Sequence, residues 1–589
     1  MRRINIILIF MCMALLGNAI PAYNEWQVFR QNDGSTLRLQ LMGDEWFHYY
    51  ITDDHVPVIQ IEGTFYYAKI QHNKLVSTGI VAHEKEYRTS IEKNAITDIE
   101  TVEKIRSSRC KATRRYINPK KQLSYIGEKK GLIILVDFPD RKFHDDDGTG
   151  DSMLTRQRYE NLANQTGYTN DMGAIGSVHD YFLEQSYGQF DLSFDIVGPV
   201  TMPESYTYYG MDLGEHGLDL HVPEMLVEIC NMVDEDIDFS QYDWNDDGKV
   251  DQVFLLYAGY GQATGGPWNT IWPHMWSLSE AKEEEGVLDG PVSYDGVAVD
   301  VYACSNELYG KQGAVEMGIG TICHEFSHCL GLPDLYDVNS SSNFTLGNWD
   351  LLAKGNYNGP TSAGWVPPAY SAYERWFAGW LEPITLNNDT TVIDMSPLTV
   401  QPVAYVIYND GYPDEYYLLE HRTQSRWDSY LPGQGLLISH IDYDEQLWND
   451  NLVNTVGSMN DHLRLAFFHA DGLNQAANTA YPYENNDSLT DTSLPAATLF
   501  HANTDGSFYM HKPVDQISYD SEKALASFRF ENKNSPVSSV IMTENGHKTI
   551  RHISTIEGKE IPTEQLMRRH EGVYIIQFND GTVVKKQVK

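Results

Sequence analysis

The sequence predicts an α+β protein of several domains, with a central domain built on a mixed sheet and one active-site helix, and β-rich regions on both sides. Three observations predict it. His324-Glu325-Phe326-Ser327-His328 sets two imidazoles about one helical turn apart, with a carboxylate beside the first. Gly131 to Pro139 is a mostly apolar run ended by proline, as a buried central strand would be. Alternating and aromatic runs separated by turn residues occupy both ends of the chain. The 589 residues allow several such units and a substantial core, and 42% hydrophobic content fits a globular protein. A net charge of −39 argues against non-specific nucleic-acid binding, which needs a basic surface.

The elements follow in chain order. Residues 1–22 read as a signal peptide, with Arg2 and Arg3 before the apolar Ile6 to Leu16 and small residues at Ala19 and Ala22. That run is too short to span a bilayer comfortably, and no other stretch is apolar and long enough. The expected location is therefore secreted, extracellular or at the cell surface. Cys110, Cys230, Cys304, Cys323 and Cys329 remain after cleavage, too few for a disulfide framework. Residues 23–105 form a β-rich module: Leu37 to Leu41 alternates, and Trp46 to Ile51 and Thr64 to Ala68 are strand-like. Its place ahead of the central domain suggests a prosegment. Residues 106–126 carry Arg106, Arg109, Lys111, Arg114, Arg115, Lys120 and Lys121. They read as an activation linker for a protease that cuts after basic residues, or else as a solvated connection.

The central domain is placed at 127–385. Ser177 to Gly188 has helical periodicity and Leu192 to Val197 reads as a strand. Asp243, Asn245, Asp247 and Asp251 alternate around Gly248 like the first nine positions of a calcium loop. Position twelve is Phe254 and a strand follows, so the expectation is a structural Ca²⁺ site outside the EF-hand type. A metal-free acidic turn is the alternative. His179, Asp180 and His274 read as structural. Tyr373 to Leu381 is expected to be a helix that closes the domain.

The zinc reading rests on His324, His328 and the residues after them. Neutral imidazoles at that spacing reach one Zn²⁺, and Glu325 reaches the water on it without being a ligand. Zinc lowers the pKa of such a water to about 7, and a carboxylate can then take its proton as general base. Gly331 suits a left-handed turn, and Pro333 stops the helix. The chain can then double back with Asp334, giving H-E-x-x-H-x-x-G-x-x-D, the extended metzincin spacing with aspartate in place of the third histidine. Asp337 is a second candidate for the third ligand. Leu352 stands where metzincins carry a methionine turn beneath the metal, and Tyr357 is a candidate oxyanion donor.

Residues 386–531 read as a β-rich domain, with strands at Thr391–Met395, Tyr416–Glu420 and Gly435–Asp442. His440 and Asp442 share a strand face, which suits a hydrogen-bonded pair or a second metal pair. Residues 532–589 end in Val573–Phe578, the turn Asn579-Asp580-Gly581 and a lysine-bearing return strand. This tail resembles the C-terminal sorting domain of type IX secretion substrates.

HEFSHCLGLPDLYD, SVHDYFLEQSYGQFDLSFDIVGPV, DWNDDGKVDQVFLLYAGYG, WDLLAKGNYNG, ERWFAGWLEP and LPGQGLLISHIDYD occur together over about residues 127–445. On them the chain resembles the secreted immune inhibitor A-type metallopeptidases. The resemblance implies a zincin-like catalytic domain, a prosegment, endopeptidase activity on protein or peptide substrates, and bound calcium. The functional expectation is a secreted zinc endopeptidase made as a latent precursor. Two other classes are a zinc-binding but catalytically silent adhesin and a zinc hydrolase of non-peptide substrates. The intact Glu325 argues against the first and the prosegment against the second.

Overall fold

Alternation in the first β-rich region becomes an antiparallel meander. Strands β1 (Gln27–Arg30), β2 (Thr36–Gly43), β3 (His48–Thr52), β4 (Pro57–Ile61), β5 (Thr64–Gln71) and β6 (Lys74–Val81) pair in chain order. Leu37, Leu39 and Leu41 of β2 bury one face, while Thr36 and Arg38 stay exposed. Helix α1 (Ser90–Ala95) is capped by Thr89, whose hydroxyl accepts from the Glu92 N–H while Glu92 accepts from the Thr89 N–H. The computed structural model describes residues 26–43, 48–61, 63–71, 74–97, 125–144, 152–211, 219, 221–285, 289–313, 315–337, 345–457, 459–473, 479–532, 540–542, 550–555, 572–578 and 583–588. The expected signal peptide, Cys110, the basic residues of the linker and the Asn579–Gly581 turn lie outside the described residues.

The central sheet uses β7 (Gly127–Asp137), β8 (Phe190–Thr201), β9 (Val253–Tyr260), β10 (His274–Ser277) and, after the small hairpin of β11 (Val292–Tyr294) and β12 (Val297–Val299), β13 (Val301–Leu308). Its order is β10-β13-β9-β7-β8, parallel except for the edge strand β10. Parallel neighbours need crossovers, and helices supply them. Helices α2 (Ser152–Asn164) and α3 (Val178–Gln185) lie between β7 and β8; α4 (Tyr206–Tyr209) and α5 (His221–Val233) lie between β8 and β9. Both faces of the sheet are covered, which explains the unbroken apolar run in β7. Ile133 and Leu135 enter one core with α3 and the later helix α7 (Ile319–Cys329). Leu132, Ile134 and Val136 enter the other, against Val222, Met225, Leu226 and Ile229 of α5. Helix α6 (Leu278–Glu285) follows β10 in sequence, and its Leu278 and Ala281 enter the second core.

Helix α8 is shorter than the expected Tyr373–Leu381: it spans Ala372–Phe377. Ala378 caps it, and Gly379 at φ +79° turns the chain away. The next strands are β14 (Ile384–Thr385), β15 (Thr390–Met395), β16 (Tyr405–Tyr408), β17 (Glu415–Arg422) and β18 (Gly435–Asp442). Helix α9 (Glu445–Asn449) follows, then β19 (Leu465–Phe467), β20 (Val514–Asp520), β21 (Leu525–Phe530) and β22 (Val540–Met542). They form two sheets, β14-β16-β17-β18-β19 and β20-β21-β15-β22. The region after 385 has a core of its own, around Leu386, Val392, Tyr405, Leu436 and Phe528, and also shares one with the central domain. Leu418, Ile441, Leu447, Trp448, Leu452 and Leu465 join the same hydrophobic cluster as Phe326 of α7. At the tail, β23 (Ile550–Thr555), β24 (Gly572–Phe578) and β25 (Val583–Val588) form an antiparallel sheet in which Gly572 faces Val588. Among the described residues no helix is long and apolar enough to cross a membrane.

Candidate metal centre

Helix α7 starts backbone against backbone. The Gly318 N–H donates to Ala363 O at 2.7 Å, and the Gly320 N–H to Gly364 O at 2.8 Å. One turn further on come His324, Glu325 and His328, each 3% exposed or less. The helix ends in a Schellman turn: Gly331, at φ +92°, donates to His328 O at 2.8 Å, and Leu332 donates to Ser327 O at 3.2 Å. This turn also fixes the second imidazole, because Leu332 O lies 2.7 Å from His328 Nδ1. His324 Nδ1 meets Leu351 O at 2.8 Å. A carbonyl can only accept, so both rings carry their proton on Nδ1 and keep a lone pair on Nε2.

Those two Nε2 atoms are 3.1 Å apart. Asp334 Oδ1 is 3.4 Å from His324 Nε2 and 3.2 Å from His328 Nε2. Asp334 is 1% exposed, and its Oδ1 has no hydrogen-bond donor. Three buried acceptor atoms aimed at one another repel unless a cation lies among them, so the donor set fits a metal ion. Burial opposes ionisation of Asp334, while positive charge at His328 and His324 would hold its carboxyl well below the usual range, the part a cation plays between neutral rings. Among the described residues no other group of three His, Cys, Asp or Glu side chains brings its donor atoms within 4.8 Å of one another.

The turn below the site joins its parts. Leu352 is fully buried, and its carbonyl accepts from the Leu335 N–H at 2.7 Å. The same turn presents Leu351 O to His324, so the backbone at Leu351–Leu352 supports both a histidine and the Asp334 loop. The Tyr357 hydroxyl is buried without a hydrogen-bond partner. Burial, then the nearby Tyr309 and Glu325, push its pKa well above the ordinary phenol value.

Other sequence candidates lie elsewhere. Asp337 is buried but outside the three-donor group. His274 spans Trp272 O at 2.7 Å and the Tyr302 hydroxyl at 2.9 Å, a structural role. His179 contacts Leu192 O at 2.8 Å, and Asp180 completes the α3 capping box with Ser177. His440 and Asp442 do not pair with each other. His440 Nε2 meets Glu415 at 2.8 Å, while Asp442 takes His462, His501 and Arg464. Cys230, Cys304, Cys323 and Cys329 are unbridged. In the expected calcium loop, the carboxylates close the loop's own turns. Asp243 accepts from the Gly248 N–H at 2.8 Å, Asp247 from the Lys249 N–H at 3.0 Å and Asp251 from the Trp244 N–H at 2.5 Å. Asp243, Asp247 and Asp251 do not form a three-donor group, and the Asn245 N–H donates to Asp243 Oδ1 at 3.4 Å. Burial, with Asp247 and Asp243 nearby, pushes the Asp251 carboxyl up to about 6.

Sequence reasoning missed Asn451. Its side chain touches Asp334 twice, from 117 positions away, and no spacing rule points to it.

Two histidines and a carboxylate converging on a buried helix, with a glutamate beside the first histidine, define a metallohydrolase type of centre. Residues 120–380 match the family model described as Immune inhibitor A peptidase M6, catalytic domain. Immune inhibitor A of Bacillus thuringiensis subsp. alesti is 27% identical over 290 residues, 44% of this chain and 41% of that protein. Pre-pro-metalloprotease PrtV of Vibrio cholerae serotype O1 (strain M66-2) is 26% identical over 286 residues, 43% of this chain and 30% of that protein. The chain therefore resembles the immune inhibitor A-type metallopeptidases, as its motifs predict. It spans less than half the length of these curated relatives. The resemblance implies a bound metal, and the three-donor group lies within the matched segment.

Proposed function

We propose that the protein is a secreted zinc endopeptidase of zincin type, made as a latent precursor. The observation that carries this is the convergence of His324 Nε2, His328 Nε2 and the donorless Asp334 Oδ1 beside Glu325. Two imidazoles and one carboxylate suit zinc and leave a fourth position for water. When bound, zinc supplies Lewis acidity, lowering the pKa of water to about 7 and polarising a carbonyl. Glu325 takes the proton from the attacking water and hands it to the leaving amine nitrogen. The Leu351 and Leu332 carbonyls hold the two imidazoles in the ligating tautomer. The Tyr357 hydroxyl is the donor assigned to the developing oxyanion.

Latency rests on the first sheet. Leu39, Leu41 and Tyr67 share one hydrophobic cluster with Trp272, Met317 and Tyr357 of the central domain. His48 stacks on Trp272 at 4.8 Å and lies 3.0 Å from Gln262 Nε2. Residues 23–105 thus act as the prosegment covering Tyr357, 106–126 as the activation linker, 127–385 as the catalytic domain and 532–589 as a sorting tail. Calcium has no part in this reading.

Casein or gelatin hydrolysis after limited trypsin treatment tests the proposal, run beside Glu325→Ala and a sample stripped by a zinc chelator. Activity that appears after the cut and disappears in both controls supports it. One equivalent of bound zinc with no cleavage of any peptide, before or after trypsin, sinks it and favours the silent adhesin.

A further inference from the structure

We infer that Asn451, in the β-rich region that follows the matched catalytic segment, is a positioning residue that selects and aims the metal-facing oxygen of Asp334. The inference rests on the reading of Asp334 as the third zinc ligand. Asn451 is 4% exposed. Its Oδ1 accepts from the Asp334 N–H at 2.8 Å, and its Nδ2 donates to Asp334 Oδ2 at 2.6 Å. The amide orientation is forced, since the backbone N–H needs an acceptor and the carboxylate needs a donor. With Oδ2 engaged, Oδ1 alone faces His324 and His328. The clamp therefore makes the aspartate a one-oxygen donor and locks its rotamer.

The clamp is braced. Asn451 follows α9 with its backbone at φ +55°, a left-handed conformation that asparagine tolerates better than most residues. Its own N–H donates to Trp448 O at 3.2 Å. Trp448 Nε1 donates to the Tyr373 hydroxyl at 2.6 Å and sits in the shared core. Three residues on, Asn454 Nδ2 donates to Leu335 O at 2.9 Å and Leu465 O at 2.7 Å, and its Oδ1 accepts from the Leu465 N–H at 3.0 Å. Residues 451–454 thus grip both Asp334 and Leu335. Outer partners of metal ligands are worth roughly 10–100-fold in metal affinity.

Zinc affinity of the chelator-stripped full chain, measured by competition with a chromophoric chelator, tests this in Asn451→Gly, Asn451→Asp and Asp334→Ala. Asn451→Gly keeps the left-handed backbone and leaves the Asp334 N–H without its acceptor, so the stripped protein melts somewhat lower but stays folded, while zinc binds about 10–100-fold more weakly. Asn451→Asp keeps the shape, sets a carboxylate against Asp334 Oδ2 and weakens zinc as well. The visible spectrum of the cobalt-loaded protein changes in both, which a purely structural role would leave alone. Wild-type zinc affinity and cobalt spectrum in Asn451→Gly, with Asp334→Ala weakened, overturn the inference and leave the ligand reading standing. Wild-type zinc affinity in Asp334→Ala overturns the ligand reading itself.

Discussion

Replacing Gly320 by alanine tests whether the metal helix is held by backbone contact. A Cβ at this position would lie 2.8 Å from the Asn356 carbonyl carbon and 3.1 Å from Gly364 Cα, with the Asn356 oxygen closer still. Carbon atoms rest at about 3.5 Å, so α7 or the 355–357 turn must move by at least about 0.7 Å. A functional site tolerates about 0.5 Å. The helix cannot shift without carrying His324, one turn on, and the turn cannot shift without carrying Tyr357. Overpacking costs about 1–3 kcal/mol, and the helix-propensity gain of alanine over glycine returns about 1 kcal/mol. The expected result is a net loss of about 0–2 kcal/mol, from the same two ranges, with weakened zinc binding. Thermal melts of stripped and zinc-loaded protein, with chelator competition, read both. A variant that melts higher than wild type and holds zinc equally well would refute the close-approach argument, since propensity alone would then be acting.

Glu325→Gln is expected to keep one equivalent of zinc while peptide hydrolysis falls by about 10²–10⁴, the usual worth of a general base; metal analysis with a peptide assay checks it. His421 is fully buried, its Nδ1 donates to Met395 O at 2.8 Å, and burial holds its pKa down at about 4. The unfolded chain binds this proton from 6.5 downward, so stability is lost as pH falls from 6.5 through 4, by about 2 kcal/mol at pH 5. His421→Asn keeps a donor for Met395 and is expected to flatten that part of a denaturation-versus-pH curve by one proton. Asp251 behaves oppositely. Its folded pKa, pushed up to about 6, lies above the unfolded value, so stability is lost as pH rises from 3.8 through 6. Asp251→Asn is expected to add about 2 kcal/mol at pH 8, after allowance for partial exposure, and almost nothing at pH 4. Equal gains at both pH values would count against the burial argument.

Local chemistry was legible in the sequence. The H-E-x-x-H spacing is short enough for one helix to express it, and the Gly331 turn appears where a left-handed residue was needed. The β7 run announced a strand covered on both faces, and β2 alternated as a one-faced strand does. What sequence could not express was contact at a distance. Asn451 resembles any loop asparagine until the fold sets it against Asp334. Gly320 looks like a weak residue in a helix until Asn356 and Gly364 come up against it. The supports of both histidines are backbone carbonyls, which no residue identity encodes. The calcium expectation rests on alternating carboxylates, and such residues also serve to close a turn, as Asp243 and Asp247 do here. The break at residue 385 was read from a helix expected to close the domain and the strands after it, and local patterns do not report that the two regions also share a core.

That shared core sets an order of events. Phe326 on the metal helix packs in the same cluster as Leu452 and Leu465, and β7 pairs with β9 across more than a hundred intervening residues. Contacts so far apart in sequence form slowly, because long loops must close before any of them is rewarded. A nascent chain that has delivered only α7 holds the histidines without the surroundings that aim them. Competence must wait until the chain has emerged through β19. The centre is therefore timed by topology: its last pieces arrive more than a hundred residues after its first ligand.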